Sequence, residues 1–144
     1  MDEYFSAFHS IVRETQEKIG YTLPVDLESY IIMLLSHHLD RPDFLPERSF
    51  AEAYFKVSRR RKTNAKELGD TCLFLTGVFP TYGRRRGISR RYYQHIGSSS
   101  YSIVAESSSG ELFIQLATHF KFLSNFIEVS IRNPKHKYHL IDLN

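Results

Sequence analysis

Apolar residues recur every three or four positions along most of this chain, and this helical spacing constrains the fold more than any other feature. The alternation of apolar and polar residues that is typical of strands is hard to find. No Asn-Gly or Asp-Gly pair marks a hairpin. The first segment places these residues on one face: Phe5, Phe8, Val12, Thr15 and Ile19. The pattern therefore predicts an all-α fold.

Glycine, proline and capping residues indicate where the predicted helices begin and end. Gly20 is placed to end the first helix, Pro24 to open the second and Pro80 to end the fourth. Ser89 is placed to cap the fifth helix. The predicted buried faces of the second, fourth and fifth helices are Leu27, Ile31, Leu34 and His38; Leu68, Cys72, Leu75 and Phe79; and Tyr93, Ile96, Ser100 and Val104.

Two further segments begin with the spacing of a capping box, in which two side chains satisfy free backbone N–H groups. Ser49 with Glu52 predicts a short third helix over 49–57, and Ser108 with Glu111 predicts a sixth helix over 109–132. The sixth is apolar on most sides, which is typical of a helix buried among others. We therefore expect a single-domain bundle of about six helices over 1–133, with the helix near 109–132 central, and a C-terminal tail over 134–144.

Length and composition exclude several classes of protein. The 144 residues suffice for one domain, and 42% hydrophobic and 24% charged residues are ordinary for a globular chain. The longest apolar stretch, from Tyr30 to Leu35, is too short to span a membrane, and the acidic start does not resemble a secretory signal. Cys72 is the single cysteine and has no disulfide partner within the chain. These features predict a cytoplasmic protein.

The net charge of +3 is unevenly distributed along the sequence. Residues 1–57 carry a balance of −5, residues 58–94 a balance of +8, and residues 95–144 a balance of zero. The basic positions of the middle segment are candidate binding residues: Arg59, Arg60, Arg61, Arg84, Arg85, Arg86, Arg90 and Arg91. Two interpretations stay open, a patch for an anionic partner and two complementary faces of one fold.

The arginines support two hypotheses for function. Guanidinium groups bind phosphate with two parallel hydrogen bonds, and Tyr82, Tyr92 and Tyr93 lie among them, where rings could stack on unpaired bases. The leading hypothesis is a non-enzymatic interaction or regulatory module with an arginine-rich loop facing an anionic partner, an unknown protein or polyanion. The alternative is a nucleic-acid-binding protein that uses the same arginines. A homodimer is also possible.

A polar residue inside an apolar helix suggests a third and weaker hypothesis. Gly69 costs about 1 kcal/mol relative to alanine within a helix, so its place predicts a close backbone approach, with Gly97 as the natural counterpart. The neighbouring Asp70 would be partly buried and would need a donor. Candidate donors are the arginines near 84–91, Tyr92, Tyr93 and Tyr101. The site would be either a structural hydrogen bond or a pocket of an enzyme or small-ligand binder.

Neither a metal site nor a catalytic nucleophile is predicted. The seven histidines include none three residues after a glutamate, the spacing that helical metal sites use. Cys72 lies on an apolar stripe, where a thiol behaves as a small hydrophobic group. No Gly-x-Ser-x-Gly turn or phosphate-binding loop occurs. We therefore predict no cofactor, no metal and no catalytic residue.

One pattern resembles a family of uncharacterised small helical bacterial proteins. It consists of Leu68-Gly-Asp70, Leu73-Phe74, Gly77-x-Phe79-Pro80, Ser89, Tyr92-Tyr93, Gly97 and Tyr101, within residues 64–131. The resemblance implies a bacterial and cytoplasmic origin. It implies no activity and no catalytic residue.

Overall fold

The computed structural model describes residues 2–39 and 62–132. These ranges contain α1 Asp2–Ile19, α2 Val25–Leu39, α3 Lys62–Val78, α4 Arg90–Ala105, α5 Leu112–Thr118 and α6 Phe120–Arg132, with a 3-10 turn at Arg84–Arg86. No strand occurs in either range. The predicted all-α bundle is therefore confirmed. The third predicted helix over 49–57, the tail over 134–144, and Arg59, Arg60 and Arg61 lie outside the described residues.

The turn between α1 and α2 is fixed by one buried glutamine. Gly20 adopts a left-handed conformation with φ 70°, and its N–H donates to the Gln16 carbonyl at 2.9 Å. The Gln16 side chain accepts from the Leu23 N–H at 2.6 Å and donates to Glu28 Oε2 at 2.6 Å. Because Glu28 lies in the first turn of α2, these bonds hold the start of α2 against the end of α1.

Of the helices in the described ranges, α3 and α4 form the most extensive pair, and glycines allow them to approach closely. A Cβ atom on Gly97 would lie 2.2 Å from the Phe120 ring and 2.8 Å from the Cys72 Cβ, while one on Gly69 would lie 2.7 Å from the Tyr101 ring. The predicted close approach is therefore present. The predicted pairing of Gly69 with Gly97 is wrong, because each glycine packs against a different aromatic ring: Tyr101 against Gly69 and Phe120 against Gly97.

The predicted continuous helix over 109–132 is two helices, α5 and α6, which meet at His119. The Ser98 hydroxyl donates to the Ala117 carbonyl at 2.8 Å, next to this break. A side chain that donates a hydrogen bond to a backbone carbonyl of a helix is a recognised cause of a helix bend. The predicted capping box is also wrong, since Glu111 makes no side-chain cap and Ser108 Oγ donates to the Val104 carbonyl at the end of α4.

The last two helices are less enclosed than the sequence predicts. Ile114 on α5 and Phe122 and Val129 on α6 are exposed, while the opposite side of this segment packs against α1, α2, α3 and α4. Buried hydroxyl pairs hold α6 in place. Thr76 Oγ1 and Ser124 Oγ lie 2.8 Å apart, linking α6 to α3. Ser130 Oγ lies 2.8 Å from the Thr15 hydroxyl, which links α6 to α1.

Candidate functional site

What we call the arginine loop is residues 81–91, most of the connection from α3 to α4 together with the first two residues of α4. Arg84, Arg85 and Arg86 form a single 3-10 turn, and all three are exposed. Gly83 and Gly87 flank the turn with φ values of 92° and 71°, in the left-handed region that favours glycine. The Gly83 carbonyl accepts from the N–H groups of both Arg86, at 2.9 Å, and Ile88, at 3.0 Å. The backbone of the loop is therefore closed by its own hydrogen bonds.

Aromatic side chains support the loop from below. Tyr93 is 2% exposed, and its ring centroid lies 5.6 Å from that of Tyr82. A Cβ atom on Gly83 would lie 2.8 Å from the Tyr93 hydroxyl, so glycine is required there both for its conformation and for space. Burial, followed by the neighbouring Tyr82, raises the pKa of Tyr93. Tyr92, one residue earlier, is exposed beside Arg91.

Arg90 differs from the other arginines of the loop because it is already engaged. Its Nε donates to the Thr76 carbonyl at 2.9 Å, near the carboxyl end of α3. Its Nη2 lies 3.1 Å from Glu128 Oε1, an ion pair without the alignment of a hydrogen bond, and Arg132 binds the other oxygen of Glu128 at 3.1 Å. Arg90 therefore anchors the start of α4 to α3 and α6. Ser89 caps α4 as predicted, accepting from the Tyr92 N–H at 3.1 Å.

A cleft of about 600 Å³ lies between the arginine loop and α6. Arg84, Arg90 and Arg132 line it together with one acidic residue, Glu128. Arg84, Arg85, Arg86 and Arg91 have no carboxylate within ion-pair distance among residues 2–39 and 62–132. This end of the bundle thus presents positive charge that the described part of the chain does not neutralise.

The second candidate region is what we call the Asp70 cluster: Asp70, Tyr30, Tyr101 and Lys66. Both tyrosine hydroxyls donate to Asp70 Oδ1 at 2.6 Å, and Lys66 Nζ lies 3.2 Å from Oδ2. Asp70 is 9% exposed and Tyr101 is fully buried. Burial, and then the charge of Asp70, raise the pKa of both Tyr30 and Tyr101. The tyrosines therefore stay protonated as donors.

The structure brings together only some of the residues that the sequence placed near Asp70. Tyr101 contacts it, whereas Tyr92 and Tyr93 lie in the first turn of α4 next to the arginine loop, and the arginines of 84–91 make no bond to it. Lys66 was missed although it lies four residues before Asp70, the spacing of a helical ion pair. Tyr30 lies 40 residues away in sequence, and no local signal could have identified it.

The remaining chemistry predicted from the sequence concerns metals, thiols and membranes. Burial raises the pKa of the Cys72 thiol, so this cysteine is a poor nucleophile. Within the two described ranges, no three His, Cys, Asp or Glu side chains gather as metal ligands do. Of the helices in those ranges, none combines the length and apolar character that crossing a membrane requires.

No protein-family model, curated protein or solved structure matches this chain. The resemblance to small bacterial helical proteins therefore stays a prediction.

Proposed function

We propose that this protein is a non-enzymatic interaction or regulatory module that presents the arginine loop to an anionic partner. The observation that carries the proposal is the exposure of Arg84, Arg85 and Arg86 on one closed turn. A guanidinium group donates two parallel hydrogen bonds to a phosphate or carboxylate. Three such groups on one turn therefore favour a partner that carries several negative charges.

The support beneath the loop strengthens this proposal. Gly83 and Gly87 fix the turn, Tyr93 packs under it, and Arg90 joins its end to two helices. A binding surface that is already ordered loses less conformational entropy when its partner arrives. The charges are consequently held on a rigid support and not on a flexible linker.

Nucleic acid is the second candidate partner, and the exposed ring of Tyr92 favours it. Tyr92 is 38% exposed and lies beside Arg91, so a base could stack on the ring while the arginines bind the flanking phosphates. An acidic protein segment would use the arginines in the same way but would have no need of this ring. The two partner classes can therefore be distinguished experimentally.

The first test measures the binding of labelled single-stranded RNA, duplex DNA and a polyglutamate peptide at low and moderate salt. We expect the R84A/R85A/R86A variant to lose binding to whichever probe binds the native chain. For single-stranded RNA, removing three phosphate contacts should reduce the slope of log affinity against log salt by about 2. The matched control, R13A/K18A/K121A, removes three exposed positive charges elsewhere on the bundle and should still bind.

Two results would overturn the proposal: no binding of any probe at low salt, or an equal loss in the matched control. Y92A then separates the partner classes. We expect it to weaken RNA binding about tenfold, the effect of losing one stacked base, and to leave peptide binding unchanged. A cytoplasmic, bacterial setting and self-association remain predictions of the sequence, and light scattering of the full chain measures the last.

A further inference from the structure

A second cavity, which we call the α2–α3 pocket, lies between α2, α3 and the start of α5, away from the arginine loop. Its volume is about 520 Å³, within the range of small-molecule sites. Met33, Leu34 and Leu112 contribute apolar walls, and Tyr30 and Asp70 are among its polar lining residues. This combination of apolar walls and a few polar groups is typical of a site that orients a small organic ligand.

The most distinctive group in the pocket is the carboxylate of Asp70. Its Oδ1 is occupied by two tyrosine hydroxyls at 2.6 Å, which fix the orientation of the carboxylate. Among residues 2–39 and 62–132, its Oδ2 meets only Lys66 Nζ, at 3.2 Å, longer than the usual 2.7–2.9 Å of a charged hydrogen bond. The oxygen that remains for a ligand is therefore Oδ2, on a carboxylate that the fold holds rigidly.

Lys66 shows what kind of group fits beside this oxygen. Its Nζ lies 5.5 Å from the centroid of the Tyr30 ring as well as 3.2 Å from Oδ2. The ring face and the carboxylate together form a binding position for an ammonium group, and in this structure the Lys66 side chain occupies that position. The Lys66 side chain is 52% exposed, and exposed ion pairs contribute little, so an incoming ammonium can displace it.

The charges around the pocket favour the same class of ligand. The lining includes two aspartates, Asp26 and Asp70, and one lysine, Lys66, so these three side chains carry a net charge of −1. A ligand cation would be attracted, and a ligand carboxylate would have to approach two like charges. The apolar walls would hold the body of the ligand.

We propose that the α2–α3 pocket binds a small organic amine, with its ammonium group between Asp70 Oδ2 and the Tyr30 ring and its apolar body against Met33, Leu34 and Leu112. This site uses none of the arginines of the arginine loop. It stands or fails independently of the function proposed above.

The test compares three probes with nearly the same body and different charge: phenethylamine, 2-phenylethanol and 3-phenylpropanoate. Calorimetry and methyl NMR on the full chain measure their affinities and the shifts of Met33 and Leu112. We expect phenethylamine to bind about tenfold or more tightly than the alcohol, the effect of one charged hydrogen bond, and the carboxylate to bind least. Tighter binding of the carboxylate, or no binding of any probe, overturns the proposal.

Two variants test the ammonium position between Asp70 Oδ2 and the Tyr30 ring. Lys66→Met removes the internal competitor at an exposed position, so we expect phenethylamine to bind several-fold more tightly. Asp70→Asn keeps the shape but removes the charge, and we expect about a tenfold loss of amine affinity. If Asp70→Asn fails to fold, Lys66→Met alone tests the proposal. Unchanged or weaker amine binding by this variant would contradict the inference that Lys66 occupies the ammonium position. The R84A/R85A/R86A variant should bind the amine as the native chain does.

Discussion

The arginine loop and the Asp70 cluster depend on the same two helices, but the loop exposes its charged groups whereas the cluster buries the carboxylate of Asp70. The loop joins α3 to α4 and leaves Arg84, Arg85 and Arg86 exposed. Asp70, eight residues before the end of α3 and so roughly 12 Å along its axis, is buried and accepts two tyrosine hydroxyls.

This difference separates two kinds of polar residue. Removing an exposed arginine leaves no buried group without a partner, so the fold does not depend on it. Removing Asp70 would leave buried donors unsatisfied, which costs far more than the bond contributed. Stability measurements should therefore distinguish the regions before any ligand is known.

The largest effect is expected for Asp70→Ala, which leaves the Tyr30 and Tyr101 hydroxyls without their acceptor. We expect the free energy of unfolding to fall by about 4 kcal/mol, from one buried donor, Tyr101, and one half-buried donor, Tyr30. Urea denaturation measures it, with Asp70→Asn as a control that keeps an acceptor oxygen. A loss below that of the asparagine variant would show that the two tyrosines are not held as described.

Gly97→Ala tests the close approach that positions the cluster. The added methyl group would lie 2.8 Å from the Cys72 Cβ and 2.2 Å from the buried Phe120 ring, so neighbouring atoms must shift. We expect a loss of about 3 kcal/mol in the free energy of unfolding. Gly110→Ala is a comparison at a site with open space but a φ of 88°. It separates backbone strain from steric overlap. If Gly97→Ala is as stable as the native chain, α3, α4 and α6 are less tightly packed than the structure indicates.

The pH dependence of stability tests the tyrosines themselves. Burial and Asp70 raise the pKa of Tyr30 and Tyr101 above the ordinary value of 10.0. The unfolded chain therefore loses these protons first, and stability falls as the pH rises above 10. We expect a loss of about 1.4 kcal/mol per pH unit from each tyrosine while the pH lies between its unfolded and its folded pKa.

The control for this prediction is Tyr101→Phe, measured by urea denaturation at the same alkaline pH values. Buried Cys72 contributes to alkaline loss in both proteins, so the difference between the two slopes isolates the tyrosine. Equal slopes in both proteins would show that Tyr101 is not protected from ionisation.

The smallest effect is expected for R84A/R85A/R86A, which should change the free energy of unfolding by no more than about 0.5 kcal/mol. Arg90→Ala provides the contrast, because this residue binds the Thr76 carbonyl and Glu128 and should destabilise the chain more. Thermal denaturation of both variants measures the difference. A larger loss in the triple variant would place the loop among the structural elements of the bundle.

Parts of this arrangement were predictable because they depend on local chemistry. The positions of Gly20, Ser89 and Pro80 correctly predicted helix boundaries, since each acts within one turn of the chain. The buried faces of α2 and α4 followed from helical spacing. The break at His119 could not be predicted in this way, because the Ser98 hydroxyl that donates to the Ala117 carbonyl comes from another helix.

The candidate sites divide in the same way. The exposure of Arg84, Arg85 and Arg86 is what their charge predicts. The ion pair of Arg90 could not be predicted, because its partner, Glu128, comes from α6. For Asp70, a buried polar group in need of a donor was evident, and Tyr101 was among the candidates. The other tyrosine, Tyr30, comes from a helix 40 residues earlier, so the sequence offered no spacing that would identify it.

The sequence by itself determined the all-helical class, several helix ends and the concentration of arginine between α3 and α4, because periodicity, capping and charge are properties of neighbouring residues. The tertiary structure decided which arginine is anchored, which tyrosines hold Asp70 and where the last predicted helix divides. Those outcomes depend on side chains from distant segments meeting in the packed core, where each buried polar group must find a partner.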